Sequence, residues 1–77
     1  MLSLAAVVMM SVLEEMGTLI RTTPGPRASA AEVARWYELK ARMLEHVAEE
    51  SRTGRGTALR QAAAAHRHAT DVRAGRR

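Results

Sequence analysis

A chain of 77 residues without cysteine forms one domain at most, and it has neither disulfides nor a thiolate-bound metal to support its thin core. A fold this small rests on well-packed helices or on self-association, and Trp36 and Tyr37 are its only large aromatic anchors. The net charge of +4 is unevenly spread: residues 1–50 carry five Lys/Arg against seven Glu, and residues 51–77 carry seven Arg against Asp71 alone.

Arginine outnumbers lysine eleven to one, a bias that a GC-rich bacterial genome also produces, so distribution says more than total. The basic last third is an electrostatic footprint for nucleic acid or another polyanion, or else plain solubilising surface. Absence of cysteine points to a reducing, cytoplasmic setting.

The opening MLSLAAVVMMSVL lacks a basic start, and Glu14-Glu15 follows where a cleavage site would lie, so it reads as folded structure rather than a signal peptide. It is also too short and too soon interrupted by charge to span a membrane. The first helix is expected over about residues 3–21. Its broad apolar face is Ala5, Val8, Met9, Val12, Leu13, Met16, Leu19 and Ile20, opposite Ser11, Glu14, Glu15, Thr18 and Arg21. Leu4, Val7 and Met10 fall on the side that should be wet. A helix start that is apolar all round asks for a second copy or a partner helix to cover it.

Thr22-Thr23-Pro24-Gly25-Pro26 breaks that helix, because proline removes a backbone donor and restricts the residue before it. Ser29 with Glu32 three residues on is a capping box, so the second helix is expected over about residues 29–50. Val33, Trp36, Tyr37, Met43, Leu44 and Val47 form its apolar stripe. Arg35, Glu38, Arg42, Glu45 and Glu49 form the other side, with Glu38–Arg42 at ion-pair spacing. Lys40, the one lysine, sits inside the apolar stripe. Its stem is expected to pack on Trp36 while the ammonium reaches water or a glutamate; the alternative is a register-setting residue, or one paired with Glu14 or Glu15.

The two glycines of Ser51-Arg-Thr-Gly-Arg-Gly56 end the second helix. A third, alanine-rich helix is expected over about residues 57–74, with Leu59, Ala62, Ala63, His66, Ala69 and Thr70 on a narrow face, Arg67–Asp71 as a local pair, and a basic tail at residues 75–77. No strand-like alternation occurs. The expected class is therefore all-α: one domain over residues 1–77, two amphipathic helices in a hairpin plus the alanine-rich third, assembled as a helical oligomer.

The chemistry-bearing residues give little sign of catalysis. No cysteine, Gly-x-Ser-x-Gly elbow or His-Glu-x-x-His pattern is present. His66 and His68 lie about 200° apart on a helix and cannot share one ion, while His46 and Glu50 supply two ligands where a structural site needs about four. His66 is expected to be a half-buried packing residue. Arg52-Thr-Gly-Arg-Gly-Thr57 precedes a helix start but lacks the Gly-Lys-Ser/Thr ending of a nucleotide-binding loop.

A non-catalytic interaction protein is thus expected, without cofactor, metal, membrane span or small-molecule substrate. Its candidate protein interface is Leu4, Val7, Val8, Met10, Val12, Trp36 and Lys40, and its partner a second copy or another protein. The rival is an accessory, weakly sequence-specific nucleic-acid binder using Arg52, Arg55, Arg60, Arg67, Arg73, Arg76 and Arg77. Six such phosphate contacts would cost about a thousandfold in affinity between 50 and 200 mM salt.

Overall fold

The computed structural model describes residues 3–76, apart from the side chains of Ala5 and Val8. Three α-helices follow one another: α1 (Leu4–Arg21), α2 (Ala30–Glu50) and α3 (Arg55–Arg73). Among the described residues there is no strand. Local chemistry sets the ends. Ser3 Oγ accepts the Ala6 N–H at 3.1 Å and caps α1, whose last carbonyls accept from the hydroxyls of Thr22 (2.7 Å, from Thr18 O) and Thr23 (2.9 Å, from Leu19 O) before the proline turn. Ser29 Oγ accepts the Glu32 N–H at 3.1 Å, and the same hydroxyl donates to Glu32 Oε1 at 3.3 Å. The glutamate thus meets the serine side chain rather than its backbone N–H. α3 begins two residues before the expected Thr57, because Gly54 takes a left-handed φ of 79° and its carbonyl already accepts the Ala58 N–H at 2.9 Å.

Both outer helices pack antiparallel on α2. Glu15 meets His46 and Leu19 meets Trp36, while Glu38 meets Arg73 and Glu45 meets His66, so rising numbers on α1 and α3 oppose falling numbers on α2. The closer hairpin is α2–α3. Its seam is built from alanine at seven-residue spacing: Ala34, Ala41 and Ala48 on α2, facing Ala58, Ala62, Ala65, Ala69 and Val72 on α3. A seven-residue repeat holds one line of side chains against the partner, and methyl-sized groups there let the two backbones come close.

This seam differs from the faces read from the sequence. Val33, Trp36, Tyr37, Met43, Leu44 and Val47 are only half-buried, and the residues excluded from water on α2 are the alanines between them. On α3 the inward line runs through Ala58, Ala65 and Val72, so Leu59 and His66 are exposed and His66 is no packing residue. The cause is the same on both helices: bulk does not fit between closely approaching backbones, and alanine does.

Among the described residues α1 and α3 make no contact, since α2 lies between them. The molecule measures 45 × 25 × 13 Å, and its short dimension is about the 10–12 Å diameter of one helix with its side chains. Its radius of gyration is 13.7 Å, against about 11.5 Å for a compact 77-residue domain. The fold is a single layer of three helices. Among the described residues no polar or charged side chain is buried, and the fully excluded side chains are small ones.

Candidate functional site

A single layer has two broad faces, and antiparallel wheels at 100° per residue assign each side chain to one of them. One face is charged. From α1 it receives Ser11, Glu14, Glu15 and Thr18, which gather round Leu39. From α2 it receives Arg35, Glu38, Arg42, Glu45 and Glu49, and from α3 His66 and Arg73. Cross-helix pairs mark it. Arg73 donates to both carboxylate oxygens of Glu38, Nη2 to Oε2 at 3.2 Å, and this clamp holds the Glu38 carboxyl below its ordinary range and the guanidinium above its own. His66 Nε2 lies 3.5 Å from Glu45 Oε2, and His46 Nδ1 lies 2.5 Å from Glu15 Oε1. The Glu15 hydrogen bond raises the His46 pKa above 6.5 against a smaller opposing effect of burial, with help from the charges of Glu15, Glu49 and Glu45. Two local pairings expected from spacing are replaced: Glu38 bonds Arg73 rather than Arg42, and Asp71 bonds Arg76 at 3.2 Å rather than Arg67.

The other face is apolar. α1 contributes Met9, Leu13, Met16 and Ile20, whose spacing of four, three and four residues makes one continuous line, with Leu13 62% and Ile20 75% exposed. α2 contributes the half-buried Val33, Trp36, Tyr37, Met43, Leu44 and Val47. Trp36 is fixed in place, donating Nε1–H to the Leu19 carbonyl at 2.9 Å, and its ring meets Tyr37 edge-on at 5.2 Å. On the α3 side this face becomes polar, where Tyr37 stacks on His68 at 4.2 Å and a shallow groove of about 410 Å³ runs past Lys40, Gln61, Ala64 and Ala65.

Lys40 is the one formal charge that α2 places on this face. Its Nζ lies 5.8 Å from the Trp36 ring centre and 6.0 Å from that of Tyr37, a cation–π position. Glu15, one of the acids it might have paired with, is engaged by His46. The ammonium itself thus stays with the aromatic pair one turn back along α2.

The expected interface residues are not all brought together. Trp36 and Lys40 share the apolar face. Leu4, Val7 and Met10 are exposed on the first turns of α1, away from the line of Met9, Leu13, Met16 and Ile20. Val12 is 2% exposed and belongs to the chain's own contact between α1 and α2. Val8 lies outside the described side chains. The exposed α1 line was visible in the sequence within the broad apolar face, but which half of that face α2 would cover was not.

The arginines of the last third are dispersed. Arg60 and Arg67, seven residues apart, share the outer edge of α3, and Arg52 and Arg55 lie at its start. Arg73 and Arg76 are held by Glu38 and Asp71, and Arg77 lies outside the described residues. Among the described residues no three His, Asp or Glu side chains gather at metal-ligand distance, and His66 and His68 point to opposite faces. No described helix is long and apolar enough to cross a membrane. Compared with known proteins, the chain matches no family model, and neither a curated protein nor a solved structure is significantly similar to it.

Proposed function

We propose that this chain is a non-catalytic helical interaction protein that docks through the face formed by Met9, Leu13, Met16 and Ile20 of α1 and the Trp36 stripe of α2. The observation that carries this reading is the segregation of the single layer. The cross-helix pairs of Glu15, Glu38 and Glu45 lie on one face, and the line of Met9, Leu13, Met16 and Ile20 lies beside the Trp36 stripe on the other, with Leu13 and Ile20 left mostly in water. A contiguous apolar surface of this kind marks a site of protein association. Leu4, Val7 and Met10, exposed on the first turns of α1, lie outside this face.

Light scattering at tens of micromolar, together with binding of an apolar fluorescent dye, tests it. The expected result is either a particle larger than a monomer or a monomer that binds the dye, and in both cases Leu13→Glu abolishes the behaviour while helicity is kept. A monomer that binds no dye refutes the reading.

A second reading, accessory nucleic-acid binding, is favoured by one observation: Arg60 and Arg67 share the free outer edge of α3 near Arg52 and Arg55. With four arginines rather than six, affinity should fall about a hundredfold between 50 and 200 mM salt. Binding that ignores salt, or no binding at low salt, removes it.

A further inference from the structure

We infer that the occupant of the apolar face is a second copy of this chain, laid face to face about a two-fold axis so that two single layers make one two-layered bundle with Lys40 beside the axis. This rests on the docking reading above and names its partner. Three observations support it.

The first is architectural. Stable domains are built from two packed layers, and this chain supplies one, 13 Å thick. The second is area. A face of 45 × 25 Å is about 1,100 Å² in outline, against about 800 Å² per partner in an ordinary stable complex. The third is charge. The glutamates of α1 and α2 that pair with histidine or arginine lie on the opposite face. Those paired carboxylates therefore stay clear of the contact, Asp71 at the α3 edge keeps its pairing with Arg76, and Lys40 already has its own aromatic rings.

The position of Lys40 follows from symmetry. An axis that overlays the two layers fully must pass over the centre of the face, and the centre is the middle of the middle helix. α2 runs Ala30–Glu50, so its midpoint is residue 40. Whichever way the axis runs in the plane between the layers, it carries this midpoint onto its own copy. The two ammonium groups are then near neighbours of like charge, which limits affinity and makes it rise with salt.

The absence of native cysteine makes single-cysteine variants of the full chain clean reporters. Sedimentation equilibrium should give twice 8.4 kDa at tens of micromolar, and Leu13→Glu should return a helical monomer. Lys40→Cys should cross-link chain to chain with a short bismaleimide, whereas Arg42→Cys on the charged face should not. Lys40→Leu should tighten the dimer on the order of tenfold, by removing a like charge and adding apolar contact.

A monomer that binds apolar dye overturns the second copy and leaves the docking face standing; a monomer without dye binding overturns both. A dimer that cross-links through Arg42→Cys, or through neither position, overturns the face-to-face arrangement. So does a species larger than a dimer, or a Lys40→Leu chain that associates more weakly.

Discussion

Replacing Ala41 by leucine tests the alanine seam where it is tightest. Ala41 is 0% exposed and packs against Ala62 and Ala65 of α3. In open apolar surroundings the added atoms would contribute about 2 kcal/mol of burial. Here the facing groups are methyls set by close backbone approach, so the larger side chain must push α3 outward, and overpacking alone costs about 1–3 kcal/mol. The displacement also separates Ala34 from Ala69 and Val72, contacts in the same seam. α3 has no other helix to lean on, so the loss outweighs the gain, and we expect a net destabilisation of about 2 kcal/mol. For a domain of this size that lowers Tm by roughly 10 °C. Thermal and urea melts followed by circular dichroism at one fixed protein concentration measure it. Arg42→Leu, the adjacent residue on the charged face, is the control and should stay within about 0.5 kcal/mol. An Ala41→Leu chain as stable as the unaltered one would refute the close-packed seam.

Trp36→Phe keeps an aromatic ring but removes the pyrrole half of the indole and with it the donor to the Leu19 carbonyl, and should cost at least about 1 kcal/mol, with loss of hydrogen-exchange protection greatest at the end of α1. Gly54→Ala puts a side chain at φ 79° and should cost about 1–2 kcal/mol in a urea melt, although the added methyl meets open space. The Glu15–His46 contact makes the docking of α1 pH-dependent. Because the His46 pKa is raised above 6.5 in the fold, its stabilising effect is complete below 6.5 and fades as pH rises through the raised value. Solvent reaches the pair, so we expect only a few tenths of a kcal/mol between pH 5 and pH 9. His46→Gln should flatten that part of the profile, and an unchanged slope would show that another group titrates.

What could be read from the residues was local. The Ser29–Glu32 cap, the proline turn after Arg21 and the glycine break at Gly54 act within a few positions of themselves, and they placed the three helices to within two residues. The inward faces depended on how closely the helices approach, which no single-helix pattern encodes. On hydrophobicity alone Trp36 and Leu44 outrank Ala41, yet Ala41 is the residue excluded from water, because a seven-residue alanine spacing matters only when a second alanine line stands opposite. That spacing, Ala34-Ala41-Ala48 against Ala58-Ala65 and Ala62-Ala69, is present in the sequence, but it carries meaning only once the two lines are set opposite each other. Cross-helix partners such as Glu38–Arg73 were hidden for the same reason, being 35 positions apart while Arg42 offered a nearer match.

The alanine seam also explains why association should be coupled to folding. A large aliphatic side chain contributes about 1.5–3 kcal/mol when fully buried, and this chain has Leu13, Ile20, Met9 and Met16 still substantially in contact with water. The residues it does exclude are chiefly alanines, which fix geometry but remove little apolar area each. Ordering each residue costs about 1–2 kcal/mol in backbone entropy alone, so a single layer with a methyl-lined seam is left close to balance. Covering the apolar face adds the missing burial without disturbing a seam that has already set the positions of Trp36, Lys40 and Leu44. Small residues inside and the exposed line of α1 are thus complementary under the proposed pairing: the first make a flat layer possible, and the second would gain burial from a partner. The melting temperature should accordingly climb with protein concentration, and a Tm independent of concentration over a hundredfold range would show that the isolated layer is stable by itself.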